Sequence, residues 1–282
     1  MRDCTFNTYD VTKKILFNYL VGFLFVFLVF FVNQVFLQIN FFIEYSPTFT
    51  EILKLIILTI PSIIGLAIPY SVGIGLVLGL LSIDITGKIK KFPKSICIKK
   101  LYLPILCLNI FLVFVNFSIA DFIMPNTNTA YNIFYNKISE NEQNMISYVS
   151  SPRNMSSKML IQSIQDIKNT GDTINERNLN LHRIELHKRI SIPIGILFFS
   201  LVAFFLSLLI KNKKYSKSFG FIVSCIFCVI HWVSLLYAQQ LSIKTGENIA
   251  LAMWFPNIVL LCISIVLFLV YKKTARVHAG AS

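Results

Sequence analysis

The chain has 282 residues, 55% of them hydrophobic, with 26 phenylalanines and a formal net charge of +13. At a mean hydropathy of +0.69 little is left for a soluble core, and no basic patch sits on a soluble domain of its own, which argues against a nucleic-acid partner. The charge therefore has to be explained at a membrane surface.

Six long apolar runs follow one another, each near or above the roughly 20 residues that cross a bilayer as helix. The first, Ile15 to Ile39, is preceded by Arg2, Lys13 and Lys14. It is too long for a signal peptide and lacks a small-residue cleavage site, so it is expected to remain as an uncleaved anchor. Its outer part carries the amides Asn33, Gln34, Gln38 and Asn40, followed by Glu44.

The second run, Ile52 to Leu81, would rise about 45 Å as helix, well past the hydrocarbon thickness, and Pro61 and Pro69 are expected to kink or break it. Gly65, Gly73, Gly75 and Gly79 leave its surface bare. The Gly75-x-x-x-Gly79 spacing can seat another helix closely, the alternative being a merely flexible span. From Ser82 to Lys100 come Asp84, Gly87, six lysines and Pro93. This stretch reads either as an amphipathic surface helix that a soluble motor could grip, or as an ordinary basic loop.

The third run, Leu101 to Ile119, leads into the one sizeable extramembrane segment, Asp121 to Arg189. Within it Ser156 can cap a helix whose Leu160, Ile161, Ile164 and Ile167 follow helical spacing, with Gly171 as a stop. Residues 136–154 are rich in Asn, Ser and Glu and too short for a folded β domain. His182-x-x-Glu185-x-His187 resembles a metal cluster, but histidines five apart diverge on a helix, so no metal is expected there.

The fourth run spans Ile190 to Ile210, the fifth Phe219 to Leu236 and the sixth Ala250 to Tyr271. The fifth holds Cys225-x-x-Cys228, which lacks any redox context and reads as helix packing, and His231, an intramembrane histidine that is either functional or a hydrogen-bonded packing residue. None of the six cysteines falls in the outer segment, so a disulfide framework is not implied.

Basic residues orient the runs. Arg2, Lys13 and Lys14, then Lys88, Lys90, Lys91, Lys94, Lys99 and Lys100, then Lys211, Lys213, Lys214 and Lys217, and finally Lys272, Lys273 and Arg276 all fall on one side. These are sixteen of the 26 lysines and arginines, in short segments where the positive-inside bias operates. The opposite short loops, with Glu44, Glu51, Lys54, Lys244 and Glu247, are nearly neutral. Both termini are thus expected in the cytoplasm, with the basic rim facing anionic lipid or an acidic partner.

The expected fold is an all-α membrane protein of six transmembrane helices. Residues 1–120 hold the first three, with a cytoplasmic segment near 82–93. Residues 121–189 form a short, mainly helical or irregular insert, 190–273 hold the last three helices, and 274–282 form a cytoplasmic tail of native or appended origin. No G-x-x-x-x-G-K-[ST], G-x-S-x-G or H-E-x-x-H occurs, so ATP binding through a P-loop and two common hydrolase chemistries are excluded.

Several segments together resemble the LptF/LptG permease family of the lipopolysaccharide-export ABC transporter. They are the prolines and glycines from Ile60-Pro61 to Leu80-Leu81, then Ser82-Ile83-Asp84 and Gly87, Pro104, and Met124-Pro125-Asn126. Met155 to Gly171, Glu185 to Pro193, and Trp254-Phe255-Pro256-Asn257 continue the pattern.

The resemblance implies one half of a heterodimeric exporter that extracts a lipid from the outer leaflet of the inner membrane for delivery toward the outer membrane. A paralogous second permease and a cytosolic ABC ATPase dimer are the implied partners, with room for a single-span periplasmic bridge protein. ATP and Mg would belong to the ATPase, leaving no cofactor and no catalytic residue in this chain. Asp84, Gly87, Lys88 and Pro93 would form the coupling segment. Leu24, Phe27, Phe31, Gln34 and Gln38 on the first span, with Phe227, His231 and Leu235 on the fifth, would line the cargo cavity; the spacing of three or four within each set keeps it on one helix face.

Two departures from the family pattern matter. The family's β-jellyroll between the third and fourth spans has only residues 136–154 in its place, so hand-off is expected to depend on the partner permease or another route. The outer part of the first span carries amides and Glu44 where family members that handle lipid A place basic side chains, which makes a less anionic cargo, a glycolipid or an acylated protein, an alternative. The competing classes are a membrane enzyme using His231 or the His182, Glu185 and His187 group, and a non-transporting envelope scaffold.

Overall fold

The computed structural model describes residues 8–82, 95–139, 151–170, 176–210 and 215–280, with side chains for all of these except 8–11, 95–101, 170 and 275–280. The helices are α1 (Thr8–Tyr45), α2 (Phe49–Ser82), α3 (Ser95–Ser118), α4 (Met124–Ile138), α5 (Ser157–Thr170), α6 (Glu176–Ile210), α7 (Ser216–Thr245) and α8 (Ile249–Gly280). Among the described residues there is no strand, and six helical segments are long and apolar enough to cross a membrane, as the hydropathy pattern predicts.

Burial ranks the spans. The most apolar stretch of α6 is 61% buried, against 17–33% in the other five, so α6 is the central post of the bundle. α2 packs along it, α1 lies against the outer side of α2, and α8 runs beside α6, with α3 and α7 closing the flanks. One apolar cluster joins Ile15 and Tyr19 of α1 to Val72 and Leu76 of α2 and to Ile196 and Phe204 of α6. A second sits nearer α7 and α8, around Tyr70, Ile74, Phe199 and Leu260.

At α2 the expected outcomes are a kink or a break, and the break does not occur. Pro61 and Pro69 do not break it: Phe49–Ser82 is one unbroken helix of 34 residues. Each proline removes only its own N–H, freeing the carbonyls of Ile57 and Gly65, while packing on α1 and α6 supports the helix on either side. Glu51 reaches back over the start of the helix, its Oε2 accepting from both the N–H and the hydroxyl of Thr48, each at 2.8 Å.

The bare surface of α2 is where α1 sits. A Cβ on Gly75 would lie 2.7 Å from both the Asn18 carbonyl oxygen and Tyr19 Cα, and one on Gly22 would lie 2.9 Å from the Ser71 carbonyl oxygen. Two helix backbones approach this closely only where a glycine leaves one of them bare at the point of contact. The Gly75 and Gly79 positions therefore seat α1, the close-packing alternative of the sequence reading.

The outer segment is built mostly from extensions of the flanking spans. α3 continues through a π-helical turn, Ile119–Ile123, into α4, which reaches Ile138, and α6 begins at Glu176, well before its apolar part. Between them lie a short 3-10 turn, Pro152–Asn154, and α5. Ser156 caps α5 as its spacing predicts, its Oγ accepting from the Met159 N–H at 3.4 Å. Gly171 lies outside the described residues.

Candidate functional site

Two polar constructions stand out in this apolar bundle. The first lies at the level of Tyr70, where four helices meet. His231 on α7 is buried, with Nδ1 3.1 Å from the Tyr70 hydroxyl and Nε2 3.2 Å from Asn257 Oδ1, and Asn257 Nδ2 donates to the Ser191 carbonyl at 2.7 Å. Because the Asn257 amide nitrogen is committed to Ser191, its oxygen must accept, which assigns the proton to His231 Nε2 and leaves Nδ1 to accept from Tyr70.

The result is a one-way chain of hydrogen bonds across α2, α7, α8 and α6, satisfied by a neutral imidazole. Phe199 and Trp232 enclose it: Tyr70 meets Phe199 edge-on at 5.3 Å, and Phe30 of α1 meets Trp232 at 5.5 Å. Such a chain can hold four helices in register in a medium where an unpaired polar group has no water to turn to. Substituting His231→Phe strands the Tyr70 hydroxyl and the Asn257 oxygen, and we expect a loss of about 2–4 kcal/mol, since each orphaned buried group costs about 1–3 kcal/mol. Unfolding of the purified chain in detergent measures this. Loss of transport with unchanged stability would instead assign His231 a direct chemical role.

The second construction pins the outer segment. Arg189, almost wholly buried on α6, pairs with Asp121 of the π turn at 3.3 Å and lies 3.6 Å from Glu185. Its Nη2 also donates to the Pro152 carbonyl at 3.4 Å. Asp121 Oδ1 in turn accepts from the Ser157 N–H at 2.6 Å, at the start of α5. Lys188 extends the group to α7 through Gln239 Oε1 at 3.2 Å. Ser62 and Asn128 join α2 to α4 at 3.0 Å, and Asn128 reaches the Arg153 carbonyl.

The residues singled out in the sequence fall as follows. Leu24 is exposed, Phe27, Phe31 and Gln34 are half-buried, and Gln38 is buried, its amide nitrogen and oxygen without a hydrogen-bond partner among the described residues. The stripe thus starts on the outer surface and turns into the bundle as α1 rises, with Phe27 and Phe31 stacked at 5.9 Å. Phe227, His231 and Leu235 face inward: Phe227 packs on the two central clusters and Leu235 belongs to a third, with Ile184 and Met253. The outward face of α7 is formed by residues such as Ile226, Ile230 and Val233. Asp84, Gly87, Lys88 and Pro93 lie outside the described residues.

In the outer histidine group, His182 Nδ1 donates to the Asn178 carbonyl at 2.7 Å, and Glu185 faces Lys188 and Arg189. Cys228 lies against the Tyr70 carbonyl at 3.9 Å. Sequence reasoning did not pair Asp121 with Arg189, and it did not connect His231 to Asn257. Arg189 and Asn257 each stood inside a recognised segment, but their partners are 68 and 26 positions away.

Residues 139–270 match the family model described as lipopolysaccharide export system permease LptF/LptG. Over that stretch the chain is similar to the LptF/LptG permease family. The match spans α5, α6 and α7 and most of α8, and it contains Arg189, His231 and Asn257; the segments from Ile60 to Asn126 that also carry the resemblance lie before it. No curated protein sequence matches the chain. The matched description is that of a transport permease, and the six helices long and apolar enough to cross a membrane are in keeping with it.

Proposed function

We propose that this chain is one half of a paired permease that lifts a lipid out of the outer leaflet of the inner membrane when a cytosolic ABC ATPase dimer binds and hydrolyses ATP with Mg. Both termini face the cytoplasm, and the second permease faces α1 and α7. The observation that carries this reading is the unpartnered apolar wall those two helices form together. They touch through Phe25 and Phe221, edge-on at 5.3 Å, and through Phe30 and Trp232, while Leu24 and Leu28 on one and Ile226 and Ile230 on the other point away from the bundle. A second permease across from this wall would enclose a lipid-sized cavity.

In this reading Leu24, Phe27, Phe31 and Gln34 meet cargo from α1, and Gln38 offers its unpaired amide where the stripe turns inward. Phe227, His231 and Leu235 brace the wall from behind. The amides and Glu44 near the outer end of α1 favour a sugar or amide head group over a bare phosphate. The docked outer segment is short, so hand-off falls to the second permease, with a single-span bridge protein as a further candidate partner.

Ser82 to Pro93 is the coupling segment, and Asp84 its acidic contact with the ATPase. Closure is then a population shift between open and collapsed cavities, driven by a partner that binds the two differently. In lipid nanodiscs holding the ATPase and both permeases, Asp84→Lys is expected to leave the complex assembled and to drop lipid-stimulated ATP hydrolysis to the unstimulated rate. Unchanged stimulation in the variant, or no ATPase retained by the native chain, would remove the motor from this account.

A further inference from the structure

A groove of about 440 Å³ runs down the side of the bundle between α1, α2 and α3, away from the wall formed with α7. Leu16, Leu20 and Phe23 of α1 face Leu112 of α3 across it, and Lys13 stands at one end. Its dimensions describe a possible occupant. The ten steps from Lys13 to Phe23 rise about 15 Å, half of the roughly 30 Å hydrocarbon core, so the groove runs from the charged rim to the bilayer midplane. Spread over that length, the volume leaves a cross-section of about 30 Å², far below that of a helix roughly 10–12 Å across. A single extended chain fits where a partner helix does not.

The two ends differ in chemistry. The groove is lined by apolar side chains along its length, whereas Lys13 is exposed at its mouth next to Lys14, and among the described residues no ion pair engages it. Asp10, one turn earlier, is outside the described side chains; the stretch from Asp10 to Lys14 carries one acid and two lysines.

We propose that this groove is a binding site for an anionic phospholipid of the cytoplasmic leaflet, one acyl chain lying along Leu16, Leu20 and Phe23 and the phosphate resting on the Lys13 ammonium. An ammonium beside a phosphate forms a charge-assisted hydrogen bond that a zwitterionic lipid satisfies less fully, because its own cation competes. The assignment to the cytoplasmic leaflet rests on the orientation proposed above; the binding itself does not. The lipid sits between α1 and α3, beside the place where the backbones of α1 and α2 touch, so it can stiffen the contact on which the cargo wall depends.

Native mass spectrometry of the purified full chain in detergent, titrated with phosphatidylglycerol or with phosphatidylcholine of the same acyl chains, tests this directly. The first phosphatidylglycerol is expected to bind about five-fold more tightly, the effect of one lysine near an anionic head group. Lys13→Glu abolishes that preference and Leu112→Trp, which fills the groove, weakens both lipids, while Lys217→Glu on α7 leaves the preference intact. The site is overturned if Lys13→Glu keeps the preference or if Lys217→Glu loses it equally, since rim charge in general would then be responsible. Unchanged binding by Leu112→Trp, or a co-purified polypeptide that keeps lipid out, would also overturn it. None of these outcomes depends on ATPase coupling.

Discussion

Replacing Gly75 with alanine is expected to destabilise the protein by about 3 kcal/mol or more, whereas the same change two positions earlier, at Gly73, should cost less than about 1 kcal/mol. Both glycines are buried in the same helix and differ in what the new methyl group meets. At Gly75 it would lie 2.7 Å from the Asn18 carbonyl oxygen and from Tyr19 Cα, backbone atoms that can yield only if α1 as a whole moves away. At Gly73 the nearest atom is in the Phe199 ring at 3.2 Å, a side chain that can shift by a few tenths of an ångström.

Displacement of α1 also disturbs the hydrogen bond from Tyr19 to Asn109, 3.0 Å long and buried. Unfolding of each variant in detergent, followed by the fluorescence of Trp232 and Trp254, gives the comparison. Equal losses at the two positions would show that α1 is not held by backbone contact with α2. Because α1 forms half of the proposed cargo wall, Gly75→Ala should impair transport more than its remaining folded fraction explains.

The second large effect is expected at Arg189. Its guanidinium is nearly inaccessible and is placed beside two carboxylates, so Arg189→Ala leaves Asp121 and Glu185 partly buried without compensation, at a cost of about 3–5 kcal/mol. The damage should concentrate in the outer segment. With Arg189 gone, the π turn, the Pro152–Asn154 turn and the start of α5 lose the group that joins them. Hydrogen exchange over residues 151–170 should rise before that in α2 or the apolar part of α6.

A triple variant, Asp121→Asn, Glu185→Gln and Arg189→Met, is expected to recover most of the lost stability, since it removes the charges together and not one alone. A triple variant as unstable as Arg189→Ala would mean that the arginine acts through its contact with the Pro152 carbonyl and not through charge.

Much of this architecture was legible without coordinates because a bilayer simplifies the problem. Apolar runs of about 20 residues have one stable form there, and lysine asymmetry suggests their orientation. The Ser156 cap was readable for a similar reason: it acts within a few residues of itself. At Pro61 and Pro69 the sequence left a kink and a break both open, and the break is avoided because α2 has support from α1 and α6 that the sequence did not show. The extent of the third and fourth spans was also underestimated. Polar residues such as Asn126, Asn128 and Asn132 look like loop, and they stay helical because α4 finds partners in Ser62, Arg153 and Asn154.

The candidate site divides along the same line. The spacing of Phe27, Phe31 and Gln34 placed them on one face of α1, and the resemblance, not the spacing, proposed that this face meets cargo. Spacing could not tell which way Phe227, His231 and Leu235 point, because α7 is apolar all round and hydrophobicity does not distinguish lipid from protein interior.

The number of spans, the one-sided distribution of lysines and the likeness to a permease family were thus determined by local composition and by the order of short segments along the chain. Which helix is central, which glycine touches backbone, and which partner satisfies His231 or Arg189 were decided only in the tertiary structure. Those properties depend on atoms brought together from positions tens of residues apart, and inside a membrane the pairing of a few buried polar groups, more than hydrophobicity, selects among the ways six apolar helices can pack.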